Sequence, residues 1–477
     1  MATASSTRTA PEGAFDRRLL APMMLGSILN PINSSIIAVA LVPIAQAFGA
    51  PASQTAWLIS ALYLATSIGQ PLVGRLVDTF GPSRLFLIGA SLTAIAGLLG
   101  ALAPSIGVLI VARVILGFGT CAGYPASMYL IRSEAKRTGI KSPAGILTAL
   151  AVSTQTIAVI GPTLGGLLIG IGGWRATLAI NVPLGLVTLV LGALILPRHT
   201  ALETESDRDG SRVRVRIDIL GILLFAATLV SLLLFLMNLR VSDLPLLGTA
   251  VLAGAAFTLR ELRAGDPFID VRVFAGNAPL LLTYARALLT ATVSYCFLYG
   301  FTQWLEDGRG LSPSVAGLLL LPVFGLAILV STLTGRRPEI RGKLLVGSVA
   351  QIVLCVLLLF VHADVAIWFL VVIALVTGLP QGLNNLAIQN ALYFQADPQR
   401  MGASAGLLRT FSYLGAIFAS SATGSFFGAR ADTGGLHELA LFMLGAAVVF
   451  FAITLADRSL ARISRENAAK VGAGASA

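Results

Sequence analysis

The stretch Gly74-Arg75-Leu76-Val77-Asp78-Thr79-Phe80-Gly81 returns in outline as Gly335-Arg336-Arg337-Pro338-Glu339-Ile340-Arg341-Gly342. Each has a glycine, an acid four residues later and a second glycine three after that. Each also follows the second long apolar run of a block of six such runs. A short polar turn recurring at the same place in two blocks predicts a duplicated architecture. The two six-helix halves would be related as parallel repeats about an axis along the membrane normal. The residues that carry the pattern are Gly74, Asp78, Gly81 and the following Arg84 in the first block, and Gly335, Glu339 and Gly342 in the second.

The flanking sequence is apolar enough to need a bilayer. Of 477 residues, 56% are hydrophobic and 12% charged, against about 25% charged in a soluble domain. Mean hydropathy is +0.87. Together these predict an all-α polytopic membrane protein, because only helices or closed barrels satisfy backbone groups within lipid. A span needs about 20 apolar residues. Fourteen candidates meet that need, near 19–44, 54–74, 84–103, 105–130, 146–170, 176–196, 218–239, 242–259, 278–304, 312–334, 344–362, 366–392, 402–427 and 436–456. Loop charge then sets direction. With alternating spans, 26 of the 33 Lys and Arg fall on one side and only Arg175, Arg240, Arg309 and Arg430 on the other. The positive-inside rule makes the first side cytoplasmic, with both termini there, in the inner (plasma) membrane. The polar segment 1–18 and the long apolar run after it read as a first span rather than a cleaved signal. The expected division is a six-helix half over 1–197, a cytoplasmic linker with two inserted spans over 198–275, and a second six-helix half over 276–477.

Other function classes find little support. The net charge of +11 sits in loops between apolar runs, so it reads as membrane orientation rather than nucleic-acid binding. Cys121, Cys296 and Cys355 all lie in apolar runs, with no disulfide or metal-ligand spacing. No glycine-rich loop ends in Lys-Ser/Thr, so ATP is not the expected motor. No nucleophile, base and acid constellation stands out, and the polar loops are too short for a catalytic domain. An enzyme, a resident cofactor and a metal are therefore not expected. The expected partners are the bilayer and a small molecule, and the expected state is a monomer.

Further motifs lie on the spans in a fixed order. Span 4 carries Leu109-x-x-x-Arg113-x-x-x-Gly117-x-Gly119, and span 5 carries Gly161-Pro162-x-x-Gly165-Gly166. Span 6 opens with Trp174-Arg175 and continues to Asn181-Val182-Pro183-x-Gly185. Asp266-Pro267-Phe268-Ile269-Asp270, followed by Phe274, precedes span 9. Glycine and proline in span 5 would thin and bend that helix, letting a neighbouring backbone approach closely. With the Gly74 to Arg84 turn, these residues resemble the major facilitator superfamily over nearly the whole chain. The closest likeness is to its fourteen-helix branch of drug:proton antiporters. The resemblance implies a major-facilitator-type fold, with two halves that rock about a midplane site and two inserted helices. It also implies the proton gradient as energy source, a gate-latching role for Asp78 and a structural or gating role for Arg113.

The chain departs from that pattern in places. An amide, Asn33, stands where the branch usually has an acid in span 1, and Leu116 replaces a usual glutamine. Thr79, Pro82 and Ser83 stand where the first turn usually has basic residues. None of the 22 Asp and Glu residues falls in the middle of a candidate span, although intramembrane proton relays are usually built from acids and histidine. The embedded charges are instead Arg113, Arg286 and Arg409. Each would cost roughly 2.5–3.5 kcal/mol at a helix centre and so should face protein or water. For Arg286 and Arg409 two readings stand. They are snorkelling or structural groups, or they bias a cavity toward anionic, zwitterionic or neutral substrates.

The resemblance places the cavity between spans 1, 4, 9 and 12. Candidate lining residues are Asn30 and Asn33 on span 1, Tyr124 on span 4, and Arg286, Tyr295 and Tyr299 on span 9. Span 12 adds Gln381, Asn384, Asn385 and Gln389, of which Gln381, Asn385 and Gln389 share one helix face. Arg409 on span 13 completes the set. The expected function is export of small lipophilic molecules, such as drugs, by proton antiport. An uptake symporter, a uniporter on the same fold and a non-transporting receptor or lipid-handling scaffold are the alternatives.

Overall fold

A computed structural model of the protein describes residues 15–138, 144–197, 218–237, 241–265, 267–269, 271–274, 277–335, 339–396, 401–457 and 459–460. The apolar runs become helices because lipid offers no other partner for their backbone groups. The first half comprises α1 (Leu20–Ile36), α2 (Leu41–Phe48), α3 (Ala52–Phe80), α4 (Pro82–Ala101), α5 (Ile106–Thr120), α6 (Gly123–Thr138), α7 (Ala144–Ala179) and α8 (Asn181–Ile195). Two intervening helices follow, α9 (Ile219–Met237) and α10 (Leu244–Arg263). The second half comprises α11 (Ala278–Cys296), α12 (Pro313–Leu319), α13 (Leu321–Gly335), α14 (Arg341–Leu358), α15 (Ile367–Gln395), α16 (Met401–Phe427) and α17 (Thr433–Ala456). Helix occupies every one of the fourteen candidate stretches. Among the described residues, ten helices are long and apolar enough to cross a bilayer, or eleven if one bent pair counts as a single span.

One boundary falls where expected and one differs. Spans 5 and 6 part within 171–175, where two helices join inside α7 at the non-helical Gly172 and Gly173 (φ 66°), and the chain then bends by 48° into α8. Span 9 does not stop at residue 304. Beyond α11 it continues as two π-helical stretches, Phe297–Phe301 and Trp304–Gly308.

The Gly74–Gly81 turn has a conformational reason in the first half. Gly81 alone links α3 to α4 at φ 86°, and Pro82 takes the first position of α4. A left-handed φ there favours glycine, and proline has no N–H to lose at a helix start. Its counterpart Gly342 lies instead inside the first turn of α14, so the two glycines are not conformationally equivalent.

The outer surface stays apolar, with Ile171 86% and Leu194 77% exposed, as a lipid-facing shell requires. Inside, small residues set the spacing. A Cβ at Gly123 would lie 2.1 Å from the carbonyl oxygen of Gly26, so α6 and α1 touch backbone to backbone. The halves meet where α3 runs along α16 and α7 meets α12. Helix α9 packs against both α3 and α16, with Leu233 buried in the cluster that holds Tyr63, Tyr413 and Ile417. Helix α10 packs on α9, joined by the Phe225–Phe257 ring pair at 5.3 Å. The inserted helices thus brace the join between the halves.

Candidate functional site

The join is closed at one end. Ala52, the first residue of α3, donates its N–H to the Gly428 carbonyl just beyond α16 (3.1 Å). One turn and more along, Ser60 donates to Ser420 (3.0 Å), and Ser420 to the Ala56 carbonyl (2.7 Å). On the other flank, Ser314 donates to the Gly166 carbonyl (2.7 Å) and Thr163 to the Gly317 carbonyl (3.0 Å). These contacts sit toward the end of the bundle away from the arginine-rich loops. Glycine makes the α7–α12 approach possible. A Cβ at Gly317 would fall 2.5 Å from the Pro162 carbonyl oxygen, and one at Gly166 would fall 2.6 Å from that of Pro313. Gly161 and Gly165 face α1, where their Cβ atoms would strike Ser35 and Ile36.

Below this closure the halves share a tyrosine cluster. The hydroxyls of Tyr63 and Tyr299 lie 3.1 Å apart, and Tyr299 donates to the Ser34 carbonyl of α1 (3.0 Å). The Tyr63 ring lies 5.3 Å from that of Tyr295 and 5.6 Å from that of Tyr413. Tyr295 stacks on Tyr299 at 5.7 Å. On the side toward the arginine-rich loops, the Arg409 guanidinium of α16 lies 4.2 Å over the ring of Tyr124 on α6. Its other neighbour is the Tyr413 phenol, one turn along the same helix. Five of the chain's eight tyrosines therefore gather at one place, with Arg409 stacked on one of them, Arg113 within electrostatic reach of Tyr63 and Tyr299 and, among the described residues, no salt-bridged acid. Tyr63 and Tyr299 are fully buried, whereas Tyr124, Tyr295 and Arg409 are only half-buried. Such a site can stack aromatic molecules, exchange hydrogen bonds through phenols and attract negative charge.

Other candidates are tied up mainly in bonds between helices or lie at the surface. Arg113 is 2% exposed. Its Nε donates to the Leu58 carbonyl (2.8 Å) and its terminal nitrogens to the Asn33 carbonyl (both 3.4 Å). It ties α5 to α3 and α1 without a carboxylate among the described residues. Asn33 does not present its side chain to the cluster but exchanges two hydrogen bonds with Asn181 on α8 (2.6 and 2.8 Å). Asn30 donates to Thr120 (3.1 Å), joining α1 to α5. Asn384 is buried and donates to Thr290 (3.2 Å), which also receives Gln351 (2.9 Å). Gln381 is half-buried, whereas Asn385 and Gln389 are exposed and bonded to each other (3.0 Å). Arg84 and Glu339 are exposed, and a Cβ at Gly74 would meet open space. The side chain of Asp78 and the surroundings of Gly335 lie outside the described residues.

Arg286 needs correction as a cavity residue. It is fully buried and pairs with Asp457, the residue after α17, at 2.7 Å. It also donates to Thr454 (3.3 Å) and to the Ile453 carbonyl (3.3 Å). Its cation is thus consumed in docking α17 onto α11. Burial pushes the Asp457 carboxyl up, but hydrogen bonds from Ser459 and Arg286 outweigh it and hold the group below the usual carboxylate range. The linkage has a definite sign. A depressed folded value means the stabilisation is complete above about pH 4 and is lost as pH falls through the folded value. Asp457→Asn should therefore cost about 3–5 kcal/mol by leaving a buried charge unpaired. It should also flatten the acid limb of a thermal-stability profile in detergent, and an unchanged limb would show the pair to be inert.

The sequence matches the family described as the Major Facilitator Superfamily over residues 23–420. The chain belongs to the major facilitator superfamily. It is 32% identical over 438 residues to an uncharacterised transporter of this type, YwoD, from Bacillus subtilis (strain 168), covering 90% of this chain and 95% of that one. It is 31% identical to the multidrug resistance protein Stp of Mycobacterium tuberculosis over 70% of this chain and 60% of that one. It is 28% identical to the lincomycin resistance protein of Streptomyces lincolnensis over 86% and 85%. Among solved structures it is similar to the xylose transporter XylE in a partially occluded inward open conformation (TM-score 0.62, 14% identity, 91% of this chain and 97% of that one). It is similar also to the nucleoside transporter NupG (TM-score 0.60, 13% identity, 91% and 98%). The fold is thus that of superfamily transporters, and the protein is a multi-pass membrane transporter, not an enzyme.

Sequence reasoning missed Tyr63, Tyr413, Asp457 and Asn181 as partners. Tyr413 stood four residues after Arg409, a spacing that puts both on one helix face. Asp457 lies 171 residues from Arg286, and no local signal joins them.

Proposed function

We propose that the protein exports small lipophilic molecules, neutral or anionic, by alternating access between the halves 1–197 and 276–477. The observation that carries this reading is the tyrosine and arginine cluster set between the halves, with hydrogen bonds that close the join at one end. The arginine-rich loops are read as cytoplasmic, so in this reading the closed end is the outer one and the cluster is reached from the cytoplasm. That is the state in which an exporter collects its load. Resistance proteins among the relatives support export over uptake, and the span 5 glycines support antiport driven by the proton gradient. The protein works as a monomer in this reading, with residues 198–275 supplying the two bracing helices.

The test uses inverted membrane vesicles energised to an acid interior and a panel of cationic, neutral and anionic lipophilic compounds. Accumulation of neutral or anionic members, collapsed by a protonophore, is expected. Accumulation of cations alone would refute the substrate class. Binding without flux would favour a receptor or lipid-handling scaffold.

A further inference from the structure

We propose that Glu306 is a proton-binding site that loads as the outer end of the transporter closes and releases its proton as that end opens. The sequence reading placed Glu306 just outside span 9, but the structure draws it in. Past α11 the chain widens into π-helical turns over Phe297–Phe301 and Trp304–Gly308. π turns within helices are rare and occur frequently at functional sites. Here they carry the span beyond its apolar run and bury Glu306 to 7% exposure. Neither carboxyl oxygen has a hydrogen-bond partner among the described residues.

The neighbours offer no countercharge. Trp304 and Leu305 flank Glu306 and are fully buried, and the Trp304 Nε1 is spent on Thr433 (3.1 Å). Gln303 donates to the Tyr299 carbonyl (3.2 Å). The elements packed on Trp304–Gly308 are α12, α17 and the preceding π turn. Helix α12 brings no ionisable group, the π turn brings only the Tyr299 phenol, which donates to the Ser34 carbonyl, and α17 brings His437 and Glu438 near its start. His437 is bonded to the Val361 carbonyl (3.0 Å). Arg309 donates to the Val365 carbonyl (2.9 Å) and Arg430 to that of Asp307 (3.2 Å). Asp432 caps the start of α17 through the Gly435 N–H (2.7 Å). The next residue in the chain, Asp307, acts on it with a charge of like sign. An ionised carboxylate buried without a partner is untenable, and such a group neutralises instead. Glu306 is therefore the neutral acid in this closed-end state.

The same span couples it to the join. Tyr299 holds α1 and Tyr63 seven residues before Glu306, roughly 10 Å along a helix. Parting the halves at this end would move the segment that buries Glu306 and let water reach it. Protonation and closure then favour each other by linkage. This inference rests on the reading that the outer end opens during transport.

The experiment places a cysteine at Ala56, which is buried at the outer join, and reads its labelling by a membrane-impermeant maleimide in purified, reconstituted protein across about pH 5 to 9. Labelling should rise at least about threefold with pH, about 0.65 kcal/mol at 1.36 kcal/mol per tenfold. E306Q and E306L, both permanently neutral, should label at the low level throughout. Infrared difference spectra of the protein at neutral pH should show a protonated carboxyl band that E306Q lacks. An unchanged pH profile in both variants, or no band lost in E306Q, overturns the proposal. Wild-type flux measured alongside separates the two readings. Flux with pH-independent labelling sinks the role of Glu306 and leaves transport standing, whereas absent flux counts against export itself.

Discussion

Gly317→Val is expected to cut transport about tenfold to a hundredfold while leaving the protein folded and inserted. The new side chain would meet the Pro162 carbonyl and the Thr163 backbone, which lie 2.5 and 3.1 Å from the Cβ position itself. These are backbone atoms, so no rotamer change relieves the overlap. Overpacking of this kind costs about 1–3 kcal/mol. Because α12 belongs to one half and α7 to the other, that cost falls on the closed-end state and not on the folding of either half. The population therefore shifts toward the open-end state by a similar factor. Labelling at Ala56→Cys should rise in Gly317→Val, and Gly166→Val should behave alike, since its Cβ would press on the Pro313 carbonyl across the same contact. A Gly317→Val protein with normal flux and unchanged labelling would mean that this contact is not part of the cycle.

Arg409→Gln should weaken anionic substrates about tenfold to a hundredfold and neutral ones by less than about threefold. The guanidinium stacks over a cluster ring, Tyr124, whereas Arg113, though near Tyr63 and Tyr299, is held by carbonyls and Arg286 by Asp457. A cation over an aromatic ring contributes about 0.5–2 kcal/mol, and its attraction for an anion at close range is of the order of a few kcal/mol before desolvation. Arg409→Lys keeps the charge but loses the planar stack, so an intermediate loss is expected. The check is the concentration dependence of uptake into inverted vesicles for matched anionic and neutral compounds. Equal losses for both classes would make Arg409 a packing residue alone.

Much of the architecture was legible because the bilayer imposes a simple code. Apolar runs of about 20 residues had to become helices. The paired turns fall at matching places in the two halves, although Gly81 turns at positive φ and Gly342 does not. The site was only partly legible. Tyr124, Tyr295, Tyr299 and Arg409 do come together, but Tyr63 and Tyr413 looked like any aromatic in an apolar run, and they belong to spans outside the four expected to line the cavity. Amides proved to be ties between helices. Asn33 meets Asn181, and Asn384 meets Thr290. An amide in lipid must find a partner, and sequence does not say whether that partner is a substrate or another helix. Glu306 was hidden for a different reason. Hydropathy falls at Glu306, Asp307 and Arg309, so a span seemed to end where widened turns in fact carry it on.

In the proposed cycle the two halves part and rejoin around the tyrosine cluster, and one cross-link tests this most directly. Ser60 and Ser420 face each other across the outer join with their hydroxyl oxygens 3.0 Å apart, within reach of an S–S bond of about 2 Å after modest adjustment. The measurement is substrate flux in proteoliposomes holding S60C/S420C, in which Cys121, Cys296 and Cys355 stay buried. Oxidation should stop flux, and a reductant should restore it. Undiminished flux in fully cross-linked protein would contradict alternating access at this join.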